Sequence, residues 1–207
     1  MVDITLNDDE KLHQLKEWWK KYGNWVSTII IVILLAILGW QYWQHHKTVT
    51  ATQASMLYDQ LMVSATNNDA VNTAAEANQL INNYSSTPYA KLAAMVLAQQ
   101  AVNAGKLDAA AQQLQWVIDH SQQPMLSQLA QLRLARVLIA QNKPAQALQV
   151  LAGAEQIYPG ATAAVRAQAY IALGQFDKAR SELQQTIQGL PADSSLLPIL
   201  QMQLNSL

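Results

Sequence analysis

The alternation of apolar and polar positions changes character along the 207 residues of this chain. From Val26 to Trp43 it reads VSTIIIVILLAILGWQYW, and the 25 residues between Lys21 and Lys47 contain no Lys, Arg, Asp or Glu. As a helix that stretch extends roughly 37 Å at about 1.5 Å per residue, enough to cross a hydrocarbon core of about 30 Å. Its apolar centre, Ile29–Leu38, is preceded by Trp18, Trp19, Tyr22 and Trp25 and followed by Trp40, Tyr42 and Trp43. Rings with one apolar and one polar edge settle at headgroup depth. Trp18, Trp19, Lys20, Lys21, Trp25, Trp40, Tyr42 and Trp43 are therefore the expected membrane-interface anchors. The pattern predicts an uncleaved transmembrane helix over residues 23–44. A signal peptide would show an apolar core of about 7–15 residues and a small-residue cleavage site, whereas GWQYWQHHK follows here.

Upstream, Leu12, Leu15, Trp18 and Trp19 share one side of a short amphipathic helix expected over Glu10–Lys21. Asp8 or Asp9 would cap it, and Gly23–Asn24 would lead it into the span. Residues 1–22 thus form a segment of their own, either an anchoring collar or a docking site. Lys11, Lys16, Lys20 and Lys21 precede the span, and Lys47 is the only basic residue after it until Lys91. Basic residues near a span stay on the cytoplasmic side, which puts the N-terminus in the cytoplasm and residues 45–207 on the far side.

Beyond residue 47 a helical period takes over and repeats. Gly105-Lys-Leu-Asp-Ala-Ala110-Ala-Gln-Gln-Leu114 recurs as the spacing from Asn142 through Ala147 to Leu151, and from Gly174 through Ala179 to Leu183. The shared pattern is Gly/Asn-x4-Ala-x3-Leu at offsets of 37 and 32 residues. Each copy follows an apolar helical stretch: Ala90–Ala104, Ser127–Gln141 and Ala161–Leu173. This is the signature of tetratricopeptide repeats, with a period of about 34 residues. Gly or Asn ends the first helix in the left-handed conformation, and Asp108 and Asp177 are expected to cap the second. Alanine lets two helices approach closely, and leucine fills the groove between hairpins. Pro124, Pro159 and Pro191 punctuate the joins. A looser unit precedes these, Ala54–Ala65 and Asp69–Asn83, with Asn67–Asp69 as its turn and Ala75 and Leu80 inward. A capping helix is expected over Ser194–Asn205, with Leu197, Leu200 and Leu204 inward. The fold class is all-α: one N-terminal transmembrane helix, then a tetratricopeptide-like superhelix of seven or eight helices over residues 45–207.

Composition agrees. Alanine makes up 31 of the 160 residues after position 47, which favours helix. The same residues carry eight basic and nine acidic side chains, so the basic stripe that nucleic acid requires is missing. Cysteine is absent. His45-His46 stands where the span ends, without the three or four converging ligands a metal needs. No nucleophile elbow, phosphate-binding glycine loop or zinc-protease motif occurs. Enzymatic activity is disfavoured, and neither metal nor cofactor is expected. What remains is a surface. The first helix of each hairpin should present Met95, Gln99, Leu132, Arg136, Ile139 and Gln168 to a groove suited to apolar segments of another protein. For the apolar members, packing between helices is the equal alternative. Arg136 is the expected polar anchor.

The stretches DDEKLHQLKEWWKKYGNW, GWQYWQHH, LAQQAVNAGKLDAAAQQL, LAQLRLARVLIAQNKPAQALQVL and QMQLNSL make the chain similar to the YfgM-like ancillary subunits of the SecYEG translocon. The resemblance implies a bacterial inner-membrane protein with its repeat domain in the periplasm. It implies as partners SecYEG, a membrane-anchored prolyl-isomerase-type chaperone (PpiD) and secretory polypeptides passed from channel to folding factors. It offers no catalytic residues. Two other readings stand beside the adaptor: a scaffold organising an envelope complex without binding clients, and a signalling protein docking a cytoplasmic regulator on residues 1–22.

Overall fold

The computed structural model describes the backbone of residues 5–152 and 157–207, and side chains from residue 16 onward except those of residues 17, 23, 26, 27, 30 and 153–156. Among the described residues every regular element is an α-helix. They are α1 (Thr5–Thr66), α2 (Ala70–Asn83), α3 (Pro88–Asn103), α4 (Leu107–His120), α5 (Pro124–Ala140), α6 (Pro144–Ala152), α7 (Pro159–Ala172), α8 (Phe176–Gly189) and α9 (Leu197–Asn205). The chain divides into two units, Met1–Thr50 and Ala51–Leu207.

In the first unit the backbone is helical from Thr5 onward, and this corrects one expectation. The helix begins upstream of Asp8 and Asp9, so neither caps it; it runs on through Gly23–Asn24. The expected Leu12–Leu15 face lies outside the described side chains. Among the described residues no helix is long and apolar enough to cross a membrane. Four positions of the expected span, 23, 26, 27 and 30, have side chains outside that description. The described ones from Ile29 to Leu38 are exposed, Leu35 at 63%.

The second unit is a stack of helical hairpins in which each helix packs on the next and α5 also packs on α7. Its punctuation is regular. Helices α3, α5 and α7 each begin with proline, whose fixed φ suits the first turn and whose missing N–H is one that the helix leaves unpaired there anyway. The turn that follows each of them repeats one motif. Gly105 and Gly174 adopt φ +70° and +72°, Asn142 adopts +60°, and so does Asn68, at +57°, after α1. At each, the N–H of the next residue bonds five residues back: Asp69 to Ser64, Lys106 to Ala101, Lys143 to Leu138 and Gln175 to Tyr170, at 2.8–2.9 Å. These are four Schellman turns, which satisfy the carbonyls that a helix end leaves open.

The repeat pattern lies at the core. Ala110, Ala147 and Ala179 are fully buried, and Leu114, Leu151 and Leu183 are buried with them. The first repeat of this stack keeps the same register with different residues. Counting from Asn68, Thr73 takes the alanine place and Ala77 the leucine place; both are buried, as is Leu80, while Ala75 faces out. The expected inward Ala75 is thereby corrected. Thr73 fits because its hydroxyl donates to the Asp69 carbonyl, 2.6 Å, and so buries no unpaired donor. The caps differ as well. Lys106 and Gln175 hold the cap positions of α4 and α8, and Asp108 and Asp177 fall within the first turn. There a carboxylate favours the positive helix end without capping it. Asp108 instead accepts from Gln141 Nε2 of the next turn at 3.0 Å, and Asp177 lies 3.7 Å from Arg180. The true side-chain cap is Asp69, whose carboxylate accepts from the Asn72 N–H at 3.1 Å.

Two polar arrangements, one buried and one half-buried, fasten the hairpins. Gln128 on α5 is 1% exposed, donates to Thr162 Oγ1 on α7 and accepts the Ile157 N–H. Arg166 on α7 reaches Glu182 on α8 at 3.2 Å and donates to the Leu151 carbonyl of α6 at 3.1 Å. The last hairpin closes on α9, where Leu200 is buried beside Leu183 and Leu204 packs on them. Gly160 admits this end of the chain closely, for a Cβ there would stand 2.8 Å from Leu196 Cδ1.

Candidate protein-binding groove

Between α3 and α5 the stack opens into two adjoining clefts of the second unit. The first, about 590 Å³, is bordered by α1, α2, α3 and α5 and includes Tyr58, Met95, Val96, Gln99, Leu126, Leu129 and Arg133. The second, about 360 Å³, is bordered by α3, α4 and α5 and includes Met95, Gln99, Val102, Leu107, Arg133, Arg136 and Val137. Met95, Gln99 and Arg133 belong to both, so the two form one continuous groove with an apolar floor and a polar rim.

Helical spacing explains who reaches it. Met95, Gln99 and Val102 follow one another at four and three residues along α3, and Arg133, Arg136 and Ala140 at three and four along α5, so each set shares a face. The rim is held by local bonds. Gln99 Nε2 donates to Asn103 Oδ1 at 3.0 Å, and Gln100 Nε2 donates to the Ala70 carbonyl at 3.2 Å, tying α3 to the start of α2. Tyr58 packs its ring 5.7 Å from Tyr89, and burial, followed by the nearby Asp59 carboxylate, raises its hydroxyl above the usual value.

The residues expected from the sequence separate into three groups. Met95, Gln99 and Arg136 meet at the groove: Gln99 and Arg136 are exposed, and Met95 forms part of the floor, only 5% exposed. Leu132 is 3% exposed and belongs to the core, and Ile139 packs against that core half-buried. Gln168 is exposed on α7 and borders neither cleft. Tyr58, Arg133 and Leu129 were missed. Arg133 stands three residues before Arg136, a spacing that would have placed it on the same face. Nothing in the local pattern marks Tyr58, because the C-terminal part of α1 joins the stack through long-range packing of Ala54, Leu57 and Leu61.

In the first unit all eight expected interface anchors are exposed along α1. Trp18 and Tyr22 have ring centroids 5.8 Å apart, Trp40 and Trp43 5.5 Å, and Lys47 Nζ sits 3.4 Å from the Trp43 ring centroid. Among the described residues no cluster of His, Asp or Glu is arranged to hold a metal ion.

Residues 16–207 match the family described as tetratricopeptide repeat-like domain. The chain is 31% identical over 150 residues to the ancillary SecYEG translocon subunit of Haemophilus influenzae, covering 71% of this chain and 72% of that protein. It is 27% identical over 207 residues to the protein of that name in Escherichia coli, covering 100% and 99% of the two chains. The one in Aggregatibacter actinomycetemcomitans is 28% identical over 204 residues, 98% of each. No solved structure matches the chain.

Proposed function

Because this chain belongs to the tetratricopeptide repeat-like family of ancillary SecYEG translocon subunits, we propose that it is a non-enzymatic adaptor beside a SecYEG export channel. In this reading residues 1–22 are cytoplasmic, 23–44 cross the bacterial inner membrane, and 45–207 form a periplasmic repeat domain. That domain receives translocated polypeptides and passes them to chaperones, a membrane-anchored one of the PpiD type among them. The observation that carries the reading is the extent of the similarity. It covers 99% of the E. coli protein and the whole of this chain, the apolar N-terminal segment as well as the repeats.

The physical logic follows from the tether. Anchoring a groove near a channel turns a weak bimolecular encounter into a nearly intramolecular one, at effective concentrations of order mM for short links. A shallow groove with an apolar floor then suffices, and modest affinity lets the client leave. The lysines before the apolar segment set the orientation, and its exposed tryptophans sit at the two interfaces.

Photocrosslinkers at Gln99 and Arg136 should capture secretory chains or a chaperone, and one at Gly39 should capture channel helices. A crosslinker at Leu132, in the core, should capture neither. Crosslinks from Gln99 and Arg136 only to lipid or to other copies of the chain would refute the adaptor. Protection of the C-terminal domain from protease in spheroplasts would refute its topology.

A further inference from the structure

The groove carries a charge preference that deepens the adaptor reading and rests on it. Arg133 and Arg136 lie about one helical turn apart on α5 and border the same cleft. Among the described residues neither cleft has an Asp or Glu along it. Among the described residues the salt bridges engage other arginines, Arg166 and Arg180. The contrast with Arg166 is direct: its guanidinium is committed to Glu182 and the Leu151 carbonyl, as a structural arginine's should be. Among the described residues Arg133 and Arg136 stand over an apolar floor with no carboxylate in salt-bridge range. The unit as a whole carries eight basic and nine acidic residues, so this is a local pair and not the stripe a polyphosphate would need.

We propose that the groove selects polypeptide segments in which an acidic side chain stands beside large apolar ones. The carboxylate is taken by Arg133 and Arg136, and the apolar groups lie on Met95, Val102 and Leu129. Guanidinium forks match a carboxylate in geometry as well as charge. Beside low-dielectric walls a Lys or Arg at the same place is repelled, so the groove also discriminates against basic segments.

The test uses the full chain in detergent and three fluorescein-labelled decapeptides of one apolar sequence, with Glu, Gln or Lys at the centre, read by fluorescence anisotropy. Two partly exposed ion pairs should make the Glu peptide bind about tenfold more tightly than the Gln peptide, with the Lys peptide weakest. Added salt should erode only the Glu advantage. In the double variant Arg133→Gln/Arg136→Gln the Glu and Gln peptides should agree within about twofold, and Arg136→Glu should turn the preference toward Lys. Equal binding of all three peptides, or a preference that survives the double variant, overturns the selection while leaving the adaptor intact. Failure of every peptide to bind overturns both.

Discussion

Gln128 is the most exacting position to perturb, because a buried amide joins two hairpins there through three groups at once. Its Nε2 donates to Thr162 Oγ1 at 3.2 Å, its Oε1 accepts the Ile157 N–H at 2.9 Å, and Thr162 in turn donates to the Tyr158 carbonyl at 2.9 Å. Gln128→Leu keeps most of the volume and removes both amide bonds. An orphaned buried N–H costs about 1–3 kcal/mol, and a lost ordinary hydrogen bond about 0.5–1.5 kcal/mol. Ile157 is only half-buried, which puts the first figure at its lower end and the total at about 1.5–2.5 kcal/mol. For a chain of this size that corresponds to a fall in Tm of about 3–10 °C. Repeat arrays hold together through neighbouring interfaces, so the loss should be regional. Hydrogen exchange should show α7, α8 and α9 losing protection while α2, α3 and α4 keep theirs. Thr162→Val should cost about 1–2 kcal/mol, and the double variant should fall short of the sum by at least about 0.5 kcal/mol, because the two side chains share a bond. Urea unfolding followed by circular dichroism measures all three. A Gln128→Leu chain within about 0.5 kcal/mol of the parent, or protection lost evenly along the stack, would refute the reasoning.

Three further outcomes follow from local geometry. At Gly105, φ is +70° and an added Cβ meets nothing within 4 Å, so Gly105→Ala isolates backbone strain and should cost about 1–2 kcal/mol in urea unfolding; Asn142→Gly should stay within about 0.5 kcal/mol of the parent. Lys91 Nζ donates to the Ser85 and Thr87 carbonyls, and burial draws its ammonium below the ordinary 10.5. The unfolded chain then binds the proton more firmly, so stability should rise with pH in the window just under 10.5, and Lys91→Met should flatten that rise in urea midpoints taken across it. Hydrogen bonds from Asn72 hold the Asp69 carboxyl below the usual 3.8, so the stability it lends is present above that value and fades as pH falls through the lower, folded one. Asp69→Asn, which still caps, should remove this acid-side loss from Tm measured against pH.

How much could be read beforehand depended on whether a feature was local. The turns at Gly105, Asn142 and Gly174 and the buried Ala-x3-Leu pairs were legible, because left-handed backbone and close helix approach restrict the residue type directly. In the first repeat Leu80 faces inward as expected and Ala75 does not: Thr73 and Ala77 fill its two slots, and a search for alanine then leucine passes over them. Asp108 and Asp177 were misplaced by two residues, since an acid suits the first turn of a helix nearly as well as its cap. Of the groove, the α3 and α5 faces were visible as periodicity, but the share of Tyr58 was not. Its place depends on a helix distant in sequence packing alongside, which no local pattern encodes. The Gln128–Thr162 bond, between residues 34 apart, was invisible for the same reason.

Where leucine would stand in many helix pairs, Ala110, Ala147 and Ala179 hold the crossings. A methyl group has no rotamers, so the spacing between helices there is fixed by the main chain alone and has little room to drift. The groove rim offers the opposite: Gln99, Arg133 and Arg136 are long, unbranched side chains that can take up many poses. The width of the opening is thus set by a stiff frame and its shape by a pliable lining, a division of labour that accommodates varied sequences without the frame itself having to move.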